Sequence, residues 1–138
     1  MQLSVRAQLF LAALCLALPL SAAHAHPRLV KATPAADHRT SEAPRQLILT
    51  FNESLDLALT RVTVVRGGIP VALGALRLVP SDDKSIVATP SSVLTPGRYT
   101  VRWQVTGDDG HPVRGEFSFE VLPAGTAPSD GTVRGSTR

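Results

Sequence analysis

Tyr99-Thr100-Val101-Arg102-Trp103-Gln104-Val105 alternates apolar and polar side chains without a break, and Phe117-Ser118-Phe119-Glu120-Val121 repeats the pattern shortly after. A period of two puts one face of an extended strand against a core and the other in water. Both runs read as strands, with a polar connection between them. The connection, Asp108-Asp109-Gly110-His111-Pro112-Val113-Arg114-Gly115, therefore lies at one end of a sandwich or barrel, where loops carry function. Asp109 and His111 are two residues apart, and a locally extended backbone would point both side chains the same way. A carboxylate and an imidazole on one face are two ligands of a metal site. Taken alone, the same residues also read as an ordinary polar turn, because Asp, Gly and Pro suit turns for steric reasons.

Working outward, the rest of the chain repeats the strand grammar. Leu47, Leu49 and Phe51 share one face of a segment over residues 46–51, and Asn52-Glu53-Ser54 ends it. Residues 61–65 are rich in β-branched side chains and run into Gly67-Gly68, a hairpin signal. Short strands follow over 69–73, 75–79 and 84–89, with a turn at Pro80-Ser81-Asp82-Asp83, and Leu94-Thr95-Pro96-Gly97 turns the chain into the strand at Tyr99. Residues 55–59 read as a short helical turn or an irregular crossing. Seven or eight short strands and no long helix predict an all-β fold, an antiparallel β-sandwich. Its expected core is Leu47, Leu49, Phe51, Val62, Val64, Leu76, Val87, Tyr99, Val101, Trp103, Phe117 and Phe119.

The ends of the chain read differently. Residues 1–25 have the grammar of a secretory signal peptide: Arg6, an apolar run over 9–18 too short to span a bilayer comfortably, and small residues before His26. Ala23-His24-Ala25 fits the A-x-A pattern, so processing after Ala25 leaves His26 first; processing after Ala23 is the competing choice. Cys15 and Met1, the only cysteine and methionine, fall in the removed segment. The mature chain then has no disulfide framework and no thiolate or thioether ligand. It comprises one domain over 26–122 and a tail over 123–138, rich in Gly, Pro, Ser and Thr, that is expected to be disordered. The net charge of +3 falls to +2 without Arg6, the arginines are scattered, and there is one Trp and one Tyr, so nucleic acid is a poor partner. The mature chain has no second apolar run long enough to span a membrane.

A histidine at a free N-terminus is chemically distinct. Its α-amine and its Nδ1 can close a chelate on one metal ion. With His111 added, the set is two imidazoles and one amine, with oxygen from Asp109 and from Glu53 as a candidate. Nitrogen and oxygen donors in a tetragonal arrangement favour Cu(II), one ion per chain.

Several stretches in register, His26-Pro27-Arg28-Leu29-Val30, Thr33-Pro34, Leu49-Thr50-Phe51-Asn52-Glu53, Leu94-Thr95-Pro96-Gly97-Arg98-Tyr99-Thr100-Val101 and residues 108–115, resemble the CopC family of periplasmic copper-resistance proteins. The resemblance runs from His26 to about Leu122. It implies a Greek-key β-sandwich, cupredoxin-like (immunoglobulin-like) in shape, that binds and carries copper in the periplasm and is not an enzyme. It implies a Cu(II) site on His26, Asp109, His111 and, in some members, Glu53, either as a ligand or as an acceptor that orients a ligating histidine. Some members carry a Met-rich loop for Cu(I); here residues 66–78 hold no Met and no His, which speaks against a second, Cu(I) site. Some relatives are fused to a copper-importing membrane domain, so a partner here would be a separate inner-membrane transporter of the CopD type.

Two other classes of function fit parts of the sequence. A histidine brace also serves copper monooxygenases acting on polysaccharides, but those have longer chains, disulfides and an aromatic substrate surface, which this chain lacks. A sandwich interaction module with no metal would give Asp109 and His111 only a turn role.

Overall fold

The computed structural model describes residues 26–126; the expected signal peptide and residues 127–138 of the expected tail lie outside them. Among the described residues nine strands run β1 Leu29–Thr33, β2 Arg39–Thr40, β3 Leu47–Phe51, β4 Arg61–Arg66, β5 Ile69–Val71, β6 Arg77–Val79, β7 Asp82–Ala88, β8 Gly97–Thr106 and β9 Pro112–Val121. A 3-10 turn at Leu57–Leu59 sits between β3 and β4, opened by Asp56, whose side chain accepts the Ala58 N–H. The strands form two sheets, ordered β1-β3-β7-β6 and β2-β9-β8-β4-β5. Hairpins join β4 to β5, β6 to β7 and β8 to β9, while β3–β4, β5–β6 and β7–β8 cross between the sheets in Greek-key fashion. Gly67 and Gly68 both take positive φ, 55° and 83°, which the tight turn between β4 and β5 requires and which only glycine adopts without strain.

The alternation read in β8 and β9 buries Tyr99, Val101 and Val105 on one strand and Phe117, Phe119 and Val121 on the other. Tyr99 faces Phe119 and Val101 faces Phe117 across the pair, and the Tyr99 and Phe119 rings stack at 5.3 Å. From the other layer, Leu47, Leu49 and Phe51 complete the core, and Phe51 meets the Trp103 ring edge-on at 5.1 Å. Burial of each such side chain contributes on the order of 1.5–3 kcal/mol before chain entropy is subtracted.

Four details depart from expectation. Ile86 and Ala88, not Val87, point into the core, because Leu49 pairs with Ile86 and Leu47 with Ala88, while Val87 pairs with Ile48 on the opposite face. Residues 85–88 are buried on both faces, so the segment has no polar alternation to reveal its parity. Leu76 and Trp103 are only partly buried and pack at the edge of the core. Residues 39–40 form an unexpected short strand that lies parallel to β9, the one parallel pairing among the described strands. Finally, Pro123 to Thr126, the start of the expected tail, closes a turn in which Thr126 donates to the Pro123 carbonyl.

Candidate metal centre

The β8–β9 ladder is continuous to Thr106 and Pro112, which pair and so fix the ends of the loop 107–111. Inside the loop, Gly110 adopts φ 74° and donates its N–H to the Gly107 carbonyl at 3.0 Å. The His111 N–H donates to Asp109 Oδ1 at 2.9 Å. Asp109 therefore bends the backbone that carries its partner: the loop is a turn, as its Asp, Gly and Pro residues suggest, and needs no extended backbone. The two side chains still converge, with His111 Nδ1 3.5 Å from Asp109 Oδ2.

His26 arrives from the other end of the domain. Arg28 donates its N–H to the side-chain oxygen of Asn52, and the Asn52 N–H donates back to the Arg28 carbonyl at 3.1 Å. This reciprocal clamp ties the strap before β1 to the end of β3. Pro27 is fully buried, so His26 is held at the loop while its ring stays in solvent. Its Nε2 lies 3.9 Å from Asp109 Oδ2, and its ring centroid lies 6.1 Å from that of His111. The nitrogen facing the carboxylate is thus Nε2, whereas the amine chelate expected from the sequence uses Nδ1. In the unprocessed chain the His26 nitrogen is a peptide amide, so no chelate orients the ring.

The electrostatics of the three groups are unequal. The imidazoles are open, with side chains 63% and 74% exposed, while the Asp109 side chain is 7% exposed. The Asp109 carboxyl is held below its usual value, first by the hydrogen bond from the His111 N–H and then by the two nearby imidazoles, against an opposing push from burial. Its Oδ2 is buried and accepts no hydrogen bond. Buried polar atoms rarely go unpaired, and a carboxylate oxygen flanked by two imidazoles is a natural ligand for a cation. Nitrogen and oxygen donors bind a first-row divalent ion such as zinc at about 2.0–2.2 Å, so two donors on one ion stand no more than about 4.4 Å apart. Both imidazole–carboxylate separations fall within that limit. Among the described residues no three such side chains already form a finished cluster, so binding would draw the two exposed rings onto the fixed carboxylate.

Glu53 is placed differently. Among the described residues, the close imidazole–carboxylate contacts at this end of the sandwich join Asp109, not Glu53, to the histidines. Glu53 Oε1 is buried without a hydrogen-bond partner and lies against the bare Cα of Gly107, beside the Pro27 ring. His38, read from the sequence as an ordinary turn residue, is exposed and close to β2, at neither end of the loop. Sequence reasoning missed Asn52 and Gly107. Asn52 carried a signal, since an amide at the end of a strand can bond a neighbouring backbone; nothing in the sequence marked Gly107.

Comparison with known proteins agrees with this architecture. Residues 29–122 match the family model described as the CopC domain. A copper resistance protein C from Xanthomonas campestris pv. juglandis is 36% identical over 109 residues, covering 73% of this chain and 84% of the relative. Among solved structures, the methionine-rich copper resistance protein PcoC of Escherichia coli superposes with a TM-score of 0.65 at 32% identity, covering 70% of this chain and 99% of PcoC. CopC from Methylosinus trichosporium OB3b superposes with a TM-score of 0.67 at 24% identity, covering 75% of this chain and all of that one, and speaks to the fold alone.

Proposed function

The chain belongs to the CopC family, and from that premise we propose that it is a periplasmic copper carrier holding one Cu(II) ion between His26, Asp109 and His111. The observation that carries this reading is Asp109 Oδ2, a buried carboxylate oxygen without a hydrogen bond, flanked at 3.9 Å and 3.5 Å by imidazoles from opposite ends of the domain. Export with processing after Ala25 makes the His26 nitrogen an amine and gives the ion a second donor from the same residue. Glu53 adds a buried, unpaired carboxyl oxygen beside the strap. Oxidation state follows from the donors: nitrogen and oxygen suit Cu(II), and no sulfur ligand follows Cys15 in the sequence.

The reading is one of binding and transfer rather than catalysis. Two exposed imidazoles on one fixed carboxylate suit an ion that is taken up and handed on. A separate membrane transporter of the CopD type is the proposed recipient. Among the described residues no helix is long and apolar enough to cross a membrane.

Competition titration of the chain beginning at His26 tests the proposal. It should bind one equivalent of Cu(II), and adding a single glycine before His26 should weaken binding by about tenfold or more by converting the amine to an amide. Equal affinity for both forms would remove His26 from the site.

A further inference from the structure

Gly107 is the first residue of the loop, is buried, and carries no ligand atom. It nevertheless stands where the two arms of the site meet. A Cβ built on it would overlap Glu53 Oε1 outright, and would lie 3.0 Å from both Glu53 Cδ and Pro27 Cγ. Real Cβ atoms are rarely found that close to a neighbour. Gly107 has no positive φ to justify glycine, unlike Gly110 in the same loop. The space itself is what requires the missing side chain.

The neighbours concerned are not incidental. Pro27 precedes the Arg28–Asn52 clamp and follows His26, so its ring sets where His26 leaves the strap. Glu53 follows Asn52 and keeps its carboxylate oxygen buried with no hydrogen bond. Asp109 is two residues beyond Gly107, and the Gly107 carbonyl holds the turn by accepting the Gly110 N–H. The bare Cα therefore lets the strap and the Glu53 carboxylate pack directly on the loop that bears Asp109 and His111.

We propose that Gly107 is a positioning residue of the copper site, whose missing side chain seats Glu53 and Pro27 and so fixes His26 opposite Asp109. The inference rests on the copper reading above and adds to it a residue that touches no metal. A methyl group at position 107 must push the Glu53 carboxylate out of its seat, and the Pro27 ring must give by a few tenths of an ångström. The core does not depend on either, so the fold survives while the His26 arm is displaced.

A double-mutant cycle tests this. Gly107→Ala, Glu53→Ala and the double variant are each made in the chain beginning at His26, and Cu(II) affinity and the Cu(II) electron paramagnetic resonance spectrum are measured. Gly107→Ala should lower affinity by about tenfold or more, the scale seen when residues that orient ligands are removed, and shift the spectrum towards that of the glycine-extended chain. In the Glu53→Ala background the carboxylate is gone, so the same glycine substitution should cost less than about a third as much in affinity. Apo melting midpoints should show coupling of the same sign without metal. Equal costs in both backgrounds, or an unchanged affinity and spectrum for Gly107→Ala, would overturn the proposal. Should Gly107→Ala fail to fold, the double variant must fold; if it does not, the proposal also falls. Absence of Cu(II) binding by the parent would instead refute the copper reading, and this inference with it.

Discussion

Replacing His111 by alanine separates binding from folding. The His111 side chain is 74% exposed, and what holds the loop is its backbone N–H on Asp109 Oδ1, which alanine retains. The apo protein should therefore change by no more than about 0.5 kcal/mol, as exposed substitutions do. The copper-loaded protein should behave otherwise. A ligand that binds only the folded state stabilises it by RT ln(1 + [L]/Kd), about 2.7 kcal/mol at a hundredfold excess over Kd. The unfolded chain cannot gather His26 and His111, which lie at opposite ends of the domain, so the condition holds. If losing one imidazole raises Kd about a hundredfold, the same copper concentration equals Kd and supplies only about 0.4 kcal/mol. For a domain near 100 residues each kcal/mol moves the melting midpoint by about 4–8 °C. Parent protein should gain about 10–20 °C on adding Cu(II), and His111→Ala about 2–3 °C, read by thermal circular dichroism at matched free copper. A full copper shift in His111→Ala would refute the site and return residues 108–115 to an ordinary polar turn.

Other outcomes follow from named groups. The folded-state Asp109 carboxyl is lowered from 3.8, so the stability it contributes is present above that value and lost as pH falls through the lower folded one. Apo melting midpoints should drop below about pH 4, and Asp109→Asn should flatten that limb in part, because Asp82, lowered mainly by the Ser85 side chain and the Lys84 N–H, titrates in the same window. At neutral pH Asp109→Asn should also abolish most of the copper shift. Phe119→Ala removes a ring 1% exposed and stacked on Tyr99, and should cost about 3–5 kcal/mol in chemical denaturation with or without copper. Ascorbate should release the metal to a Cu(I) chelator, since no sulfur ligand is available to keep it; tight retention of Cu(I) would contradict the donor set.

What could be read from the sequence was what one face of a strand reveals. Strands β8 and β9 alternate in sequence as read, and the structure pairs them with Tyr99 opposite Phe119 and Val101 opposite Phe117. The 85–88 segment is buried on both faces, and there Ile86 and Ala88 rather than Val87 join the core cluster. Strand β2 is two residues of polar sequence held by its neighbour β9, and no local pattern announces it. At the proposed site, the structure brings together Asp109, His111 and His26, which the sequence singles out by their side-chain chemistry. The turn read from Asp, Gly and Pro is present, but spacing alone does not show that the Asp109 carboxylate accepts the His111 N–H. Asn52 and Gly107 act through backbone bonds and empty space, which only the folded chain displays.

The most direct measurement is a crystal structure of the Cu(II)-loaded chain beginning at His26, with anomalous scattering collected at the copper edge. One copper peak is expected at about 2.0–2.2 Å from donor atoms of His26, Asp109 and His111, with Asp109 Oδ2 no longer unpaired. A copper peak bound elsewhere, or one at this end of the sandwich that leaves Asp109 and His111 untouched, would contradict the site.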